Sequence, residues 1–197
     1  MQKSIVPTAA ANIIVIGEPM STFAPALAQL AIDCESEGLT VKNSEKIAVE
    51  LAKFFNVQQD EVGILRLDKE SLLFVHPAQL HNVGRIPLNS STSLAVRTAN
   101  SKRPDVVNSF ARTRHASFFE MVDVGSKSKE PGRKATKEEQ VIQKIMSVPV
   151  VSMNKVLGVI QVCRKGPTAP AAGLDFSPTD LQKLVNIAAA LAMCFIR

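Results

Sequence analysis

Ser147-Val-Pro-Val-Val-Ser-Met-Asn-Lys-Val-Leu-Gly-Val-Ile-Gln-Val162, followed by Phe176-Ser-Pro-Thr-Asp-Leu-Gln-Lys-Leu-Val-Asn-Ile-Ala-Ala-Ala-Leu-Ala192, is the part of the chain that decides the fold. Residues 144–152 and 156–163 are apolar and β-branched, and Met153-Asn154 falls where a tight turn belongs. Their alternation is weak, so they are expected as central strands covered on both faces. Ser177 then stands as a helix cap, Pro178 takes the first helical position and Asp180 follows three residues after the cap. Behind them Leu181, Leu184, Ala188, Leu191 and Phe195 make one apolar stripe, and Ile187, Ala190 and Cys194 a second beside it. A helix apolar on two sides needs two surfaces to pack on, and the sheet is one of them.

Upstream, Phe23, Leu27, Leu30 and Cys34 recur at helical spacing, and Gly38 breaks the pattern. A second helix is expected to be capped by Asn43 or Ser44, with Ile47, Leu51, Phe54 and Phe55 on one face. Residues 61–67 and 72–76 read as a hairpin turning at Asp68 to Ser71, and 83–88 as an edge strand, because Pro87 cannot donate to a ladder. Ser91 or Thr92 opens another helix, 105–108 is a fourth strand, and 115–122 a short helix. Residues 125–140, with two glycines, a proline and eight charges, read as a solvated, mobile loop. Residues 1–20 read as an arm and 21–197 as one domain.

Composition narrows the function. A chain of 197 residues, 46% hydrophobic and 21% charged, is of ordinary globular type. Its net charge of +5 is mild, tryptophan and tyrosine are absent, and no nucleic-acid motif accompanies the charge, so nucleic acid is not expected as a partner. The apolar run 187–196 is ten residues long, too short to span a bilayer. Three widely spaced cysteines, Cys34, Cys163 and Cys194, read as reduced core thiols, and a cytoplasmic location is expected. His76, His81 and His115 show no ligand-like interval to one another or to a cysteine, so no metal is expected, and no cofactor is indicated.

Three segments resemble the GAF domain family. Residues 147–162 are similar to its S-x-P … G-hydrophobic-hydrophobic hairpin, 176–192 to its closing F-S-x-x-D helix, and 94–108 to its helix-then-strand segment, with Asn100 in place of the usual glycine. The resemblance implies an α+β fold: a six-stranded antiparallel sheet with terminal helices on one face and a pocket-forming layer of helix and loop on the other. Cyclic-nucleotide-binding members carry N-K…F-x-x-x-D-E. Lys165, Phe176 and Asp180 match it, but Arg164 replaces the asparagine and Leu181 the glutamate, which speaks against such a ligand. These three are expected to hold the fold, with Lys165 and Asp180 paired.

In the GAF arrangement the basic segment 97–114 borders the pocket. Arg112 or Arg114 would then hold a small anionic ligand through a planar guanidinium fork, with Phe118 and Phe119 as an apolar wall and His115 and Ser147 as further contacts. Free methionine sulfoxide reductases of this family use cysteines in loops around the pocket, and none of the three here matches. The chain therefore reads as a non-enzymatic sensory or regulatory domain. Beside an enzyme like the free methionine sulfoxide reductases, the alternative is a dimerisation or protein-interaction module with a vestigial pocket. Both readings expect a homodimer through the helices of Phe23–Cys34 and Leu181–Phe195, and a separate signalling partner.

Overall fold

The structure, a computed structural model, describes residues 25–82, 85–112 and 141–196. Two helices come first, α1 (Pro25–Glu37) and α2 (Val41–Phe55). Strands β1 (Val62–Asp68), β2 (Ser71–His76) and β3 (Arg85–Pro87) follow, then α3 (Leu94–Ser101) and β4 (Asp105–Val107). The long hairpin β5 (Val141–Ser152) and β6 (Lys155–Gly166) and the helix α4 (Pro178–Ala190) complete it. The six strands form one sheet in the order β3-β2-β1-β6-β5-β4, antiparallel throughout. This is the expected α+β architecture.

Local chemistry explains the ends of the elements. Gly38 closes α1 at φ 73°, and its N–H returns to the Cys34 carbonyl. Thr40 caps α2, its hydroxyl accepting from the Asn43 N–H at 3.2 Å. Asn43 and Ser44, expected as caps, instead lie inside the helix and are buried. Asn43 ties back to Glu37 and the Gly38 carbonyl, while Ser44 reaches the carbonyls of Val41 and Val75. The true cap is three residues earlier than Asn43, because both candidate side chains are used in packing. Ser93, rather than Ser91 or Thr92, caps α3. The β5–β6 turn places Met153 and Asn154 at φ 47° and 61°, the double positive φ of a two-residue hairpin turn.

The sheet divides two apolar layers. Between the sheet and helices α1, α2 and α4 lie Ile47, Leu51, Val62, Ile64, Met146, Val148, Ile160, Leu184 and Ile187. On the other face Leu65, Phe74, Ile145 and Val159 pack against α3, Ile86 and Phe110. Pro87 sits in the outermost strand, where its missing N–H costs nothing.

At the C-terminus the α-helix stops at Ala190, and Leu191–Phe195 continue as a 3₁₀ helix. The tighter turn stacks residues three apart, which brings Leu191 and Cys194 together onto the core. Leu27, Cys34, Leu184, Leu191 and Phe195 are all buried within the protomer. The apolar stripes that the sequence offers to a second chain are thus largely spent on this chain's own sheet.

Candidate functional site

Among the described residues, three buried polar side chains meet in the apolar layer on the sheet face opposite the terminal helices. Ser147 on β5 and Gln161 on β6 face each other directly in the ladder. Thr98 reaches them from α3. All three are buried. Gln161 Nε2 donates to Ser147 Oγ at 3.1 Å, Ser147 and Thr98 hydroxyls lie 2.8 Å apart, and Thr98 Oγ1 is 2.9 Å from the Leu94 carbonyl. A hydroxyl has one proton, so the chain of bonds runs in one direction: Gln161 to Ser147, Ser147 to Thr98, Thr98 to the carbonyl. The Gln161 side-chain oxygen receives no hydrogen bond from the described residues. Leu65, Phe74, Ile145, Val159 and Cys163 complete this floor.

Ser147, expected as a ligand contact, lies on the sheet face opposite the terminal helices. Gln161 and Thr98 were missed. The signal for Gln161 was a single amide in an apolar run, Val156 to Cys163, whose partner across the hairpin only the register reveals. Arg112 ends the short 3₁₀ turn Phe110–Arg112 that follows β4, and Phe110 anchors that turn in this layer. Arg114, His115, Phe118, Phe119, the short helix 115–122, the loop 125–140 and the arm 1–20 lie outside the described residues.

Part of the basic segment has a structural task. Arg97 pairs with Asp105, and Lys102 donates to the Asn154 carbonyl at 2.8 Å, fastening the end of α3 to the hairpin tip.

The expected Lys165–Asp180 pair does not form. Lys165 Nζ binds Asp60 at 3.0 Å, and its backbone N–H is taken by the Glu61 carboxylate, so this residue anchors β6 to the turn before β1. Neighbouring strand residues point to opposite faces, and it is Arg164 that joins the helices. Its two terminal nitrogens cap α2 through the carbonyls of Phe55 and Asn56, each at 3.1 Å, and its guanidinium lies 4.7 Å from the centre of the Phe176 ring. Phe176 is buried, with its backbone held on both sides by the Asn108 amide. Asp180 completes a capping box with Ser177. Burial pushes the Asp180 carboxyl up, but the Ser177 N–H and hydroxyl, helped by Lys183 and Arg164, outweigh it and hold it below its ordinary value.

A small cavity of about 110 Å³ opens at the start of α2, lined by Val41, Glu45, Gln59, Asp60, His76 and Pro77 among others. It is smaller than the several hundred Å³ usual for organic ligands. His76 donates from Nε2 to the Gln59 carbonyl at 3.2 Å, and burial lowers its pKa. His81 is exposed. Among the described residues no three His, Cys, Asp or Glu side chains cluster as metal ligands.

Residues 42–195 match the model of the GAF domain family. The chain belongs to the GAF domain family. No curated protein shows significant similarity to the chain. Among solved structures it is similar to the GAF domain of an Acinetobacter phosphoenolpyruvate-protein phosphotransferase, at 17% identity over 91% of this chain and 95% of that one, with a TM-score of 0.61. A methyl-accepting chemotaxis protein fragment gives 14% identity over 86% and 96%, with a TM-score of 0.58. A free methionine-R-sulfoxide reductase from Neisseria meningitidis, solved with its substrate, gives 18% identity over 91% and 92%, with a TM-score of 0.56. At these identities the likeness is one of fold. No helix among the described residues is long and apolar enough to cross a membrane.

Proposed function

We propose that this GAF domain is a sensory or regulatory module that holds a small molecule on the sheet face floored by Thr98, Ser147 and Gln161 and does no chemistry of its own. The observation that carries the reading is the buried polar chain Gln161–Ser147–Thr98 within an apolar layer on that face. A ligand N–H or O–H could donate to the Gln161 side-chain oxygen, since Gln161 uses its Nε2 and not that oxygen to hold Ser147. Arg112 ends the turn that Phe110 anchors in the same layer, which supports the reading that Arg112 or Arg114 meets an anionic group, with His115, Phe118 and Phe119 beside it. A non-enzymatic role is supported by the thiols. Cys34 and Cys194 lie beyond the sheet from this floor, and Cys163 is fully buried within it. Titration with nucleotides and organic acids, followed by melting temperature, tests the proposal. Stabilisation that Gln161→Leu removes is expected; no shift at millimolar ligand would end it.

The domain is further proposed to form a cytoplasmic homodimer that signals to a separate partner. Ile32 of α1 is 62% exposed, and Met193 and Ile196 of the C-terminal turn are 46% and 50% exposed. These apolar side chains, rather than the buried stripe that includes Leu191, are the ones left for a second chain. Light scattering should give twice the monomer mass, and Ile32→Glu with Met193→Glu should halve it.

A further inference from the structure

Cys34 and Cys194 are separated by 160 residues of sequence (34 to 194), yet they meet in one buried cluster, where Cys194 lies close enough to bear on the Cys34 thiol. One belongs to α1 and the other to the Leu191–Phe195 turn, and both are fully buried in the layer between helices and sheet. Cys194 Sγ also lies 3.7 Å from the carbonyl of Ala31, one turn before Cys34. Cys163 is on the other face of the sheet and cannot join them. No disulfide joins the pair in the structure.

We propose that Cys34 and Cys194 are a reversible oxidation site, closed by a hydroperoxide to an intramolecular disulfide that staples α1 to the C-terminal turn. In the first step one thiolate attacks a peroxide oxygen, the O–O bond breaks, and a sulfenic acid and one equivalent of water or alcohol result. The second thiol then attacks that sulfur, forming the S–S bond and expelling water. Two thiols lose two electrons and two protons, and the hydroperoxide is reduced by two electrons. A thiol reductant reverses the step by exchange.

Access follows from how α1 is held. Among its described side chains only Leu27 and Cys34 are fully buried, and it has no acid in its first turn or base in its last. Elements with so few buried anchors open at the low end of the local-stability range. In the closed state burial raises the Cys34 thiol above its ordinary value, against the Cys194 hydrogen bond and Lys46, so the resting pair is inert. Reaction belongs to the moment α1 lifts, and the product prevents it from lifting again.

The experiment uses the full chain, hydrogen peroxide as oxidant, and non-reducing peptide mapping after denaturation in alkylating agent. The expected result is a monomer lighter by two hydrogens, with the Cys34 peptide joined to the Cys194 peptide. Its melting temperature should rise by roughly 10 °C, because a staple across most of the chain restricts the unfolded state, and dithiothreitol should remove the rise. Cys163→Ala should behave as the parent, and Cys34→Ala and Cys194→Ala should each lose the cross-link. Recovery of both thiols alkylated after peroxide, separate sulfinic acids at the two positions, or a link between chains would overturn the proposal. The map of the unsubstituted chain decides the matter even where a variant fails to fold.

Discussion

The ring of Phe195 lies close against Gly158. A Cβ built on Gly158 would stand 2.6 Å from Phe195 Cε1, and it would also approach the Leu65 carbonyl oxygen to 2.2 Å. The ring could swing aside, but the carbonyl belongs to the ladder between β1 and β6, where Gly158 pairs with Arg66. Glycine is needed here for close approach, since this φ is not in the left-handed region.

Gly158→Ala should therefore be among the most damaging single-methyl additions available, costing about 3 kcal/mol or more as overpacking against backbone. Urea unfolding measures it. A loss below 1 kcal/mol would mean that the C-terminal turn does not dock as described.

Removing the centre of the polar floor should separate fold from binding. Ser147→Ala leaves the Gln161 amide without its acceptor and Thr98 without its donor, for a cost of about 1–3 kcal/mol. Ser147→Ala should also weaken whatever ligand stabilises the parent. Equal stabilisation of parent and variant by the same ligand would place that ligand elsewhere.

Ser177→Ala should cost about 1 kcal/mol through loss of the cap. The pH dependence has a definite sign. Asp180 is held below its ordinary value of 3.8 when folded, so its contribution is present above that value and fades as pH falls through the lower folded value. Asp180→Asn should flatten the acid limb of the stability profile, measured by thermal melts from neutral to strongly acidic pH.

His76 gives a second, separable limb. Its folded pKa is lowered from 6.5, chiefly by burial, so the unfolded chain takes up a proton first on acidification. Stability from this residue is intact above 6.5 and declines as pH drops below it toward the folded value. His76→Gln should remove that decline while leaving the Asp180 limb in place.

Much of this fold was legible in short-range pattern. The hairpin turn at Met153-Asn154, the Ser177 cap and the edge position of Pro87 follow from the φ preferences and missing donors of a few residues. Helix starts were less legible, because Asn43, Ser44, Ser91, Thr92 and Ser93 are all chemically able to cap, and tertiary packing chose Thr40 and Ser93. The Lys165–Asp180 pairing failed because strand alternation sends Lys165 and Arg164 to opposite sides, and Lys165 finds Asp60 instead. The contact of Cys34 with Cys194 and the meeting of Thr98, Ser147 and Gln161 join residues 49 or more positions apart for the helix and up to 160 for the thiols, distances over which periodicity carries nothing.

Ser147 has Met146 and Val148 as its chain neighbours, and those two belong to the layer under the helices. The same holds for Gln161 between Ile160 and Val162. A force on the floor is thus felt by the opposite core one peptide unit away, through a wall a single strand thick. Any message from a guest to the helices needs no relay along the chain: a small tilt of the β5–β6 ribbon would be a simultaneous tilt of the seat on which α4 and the C-terminal turn rest.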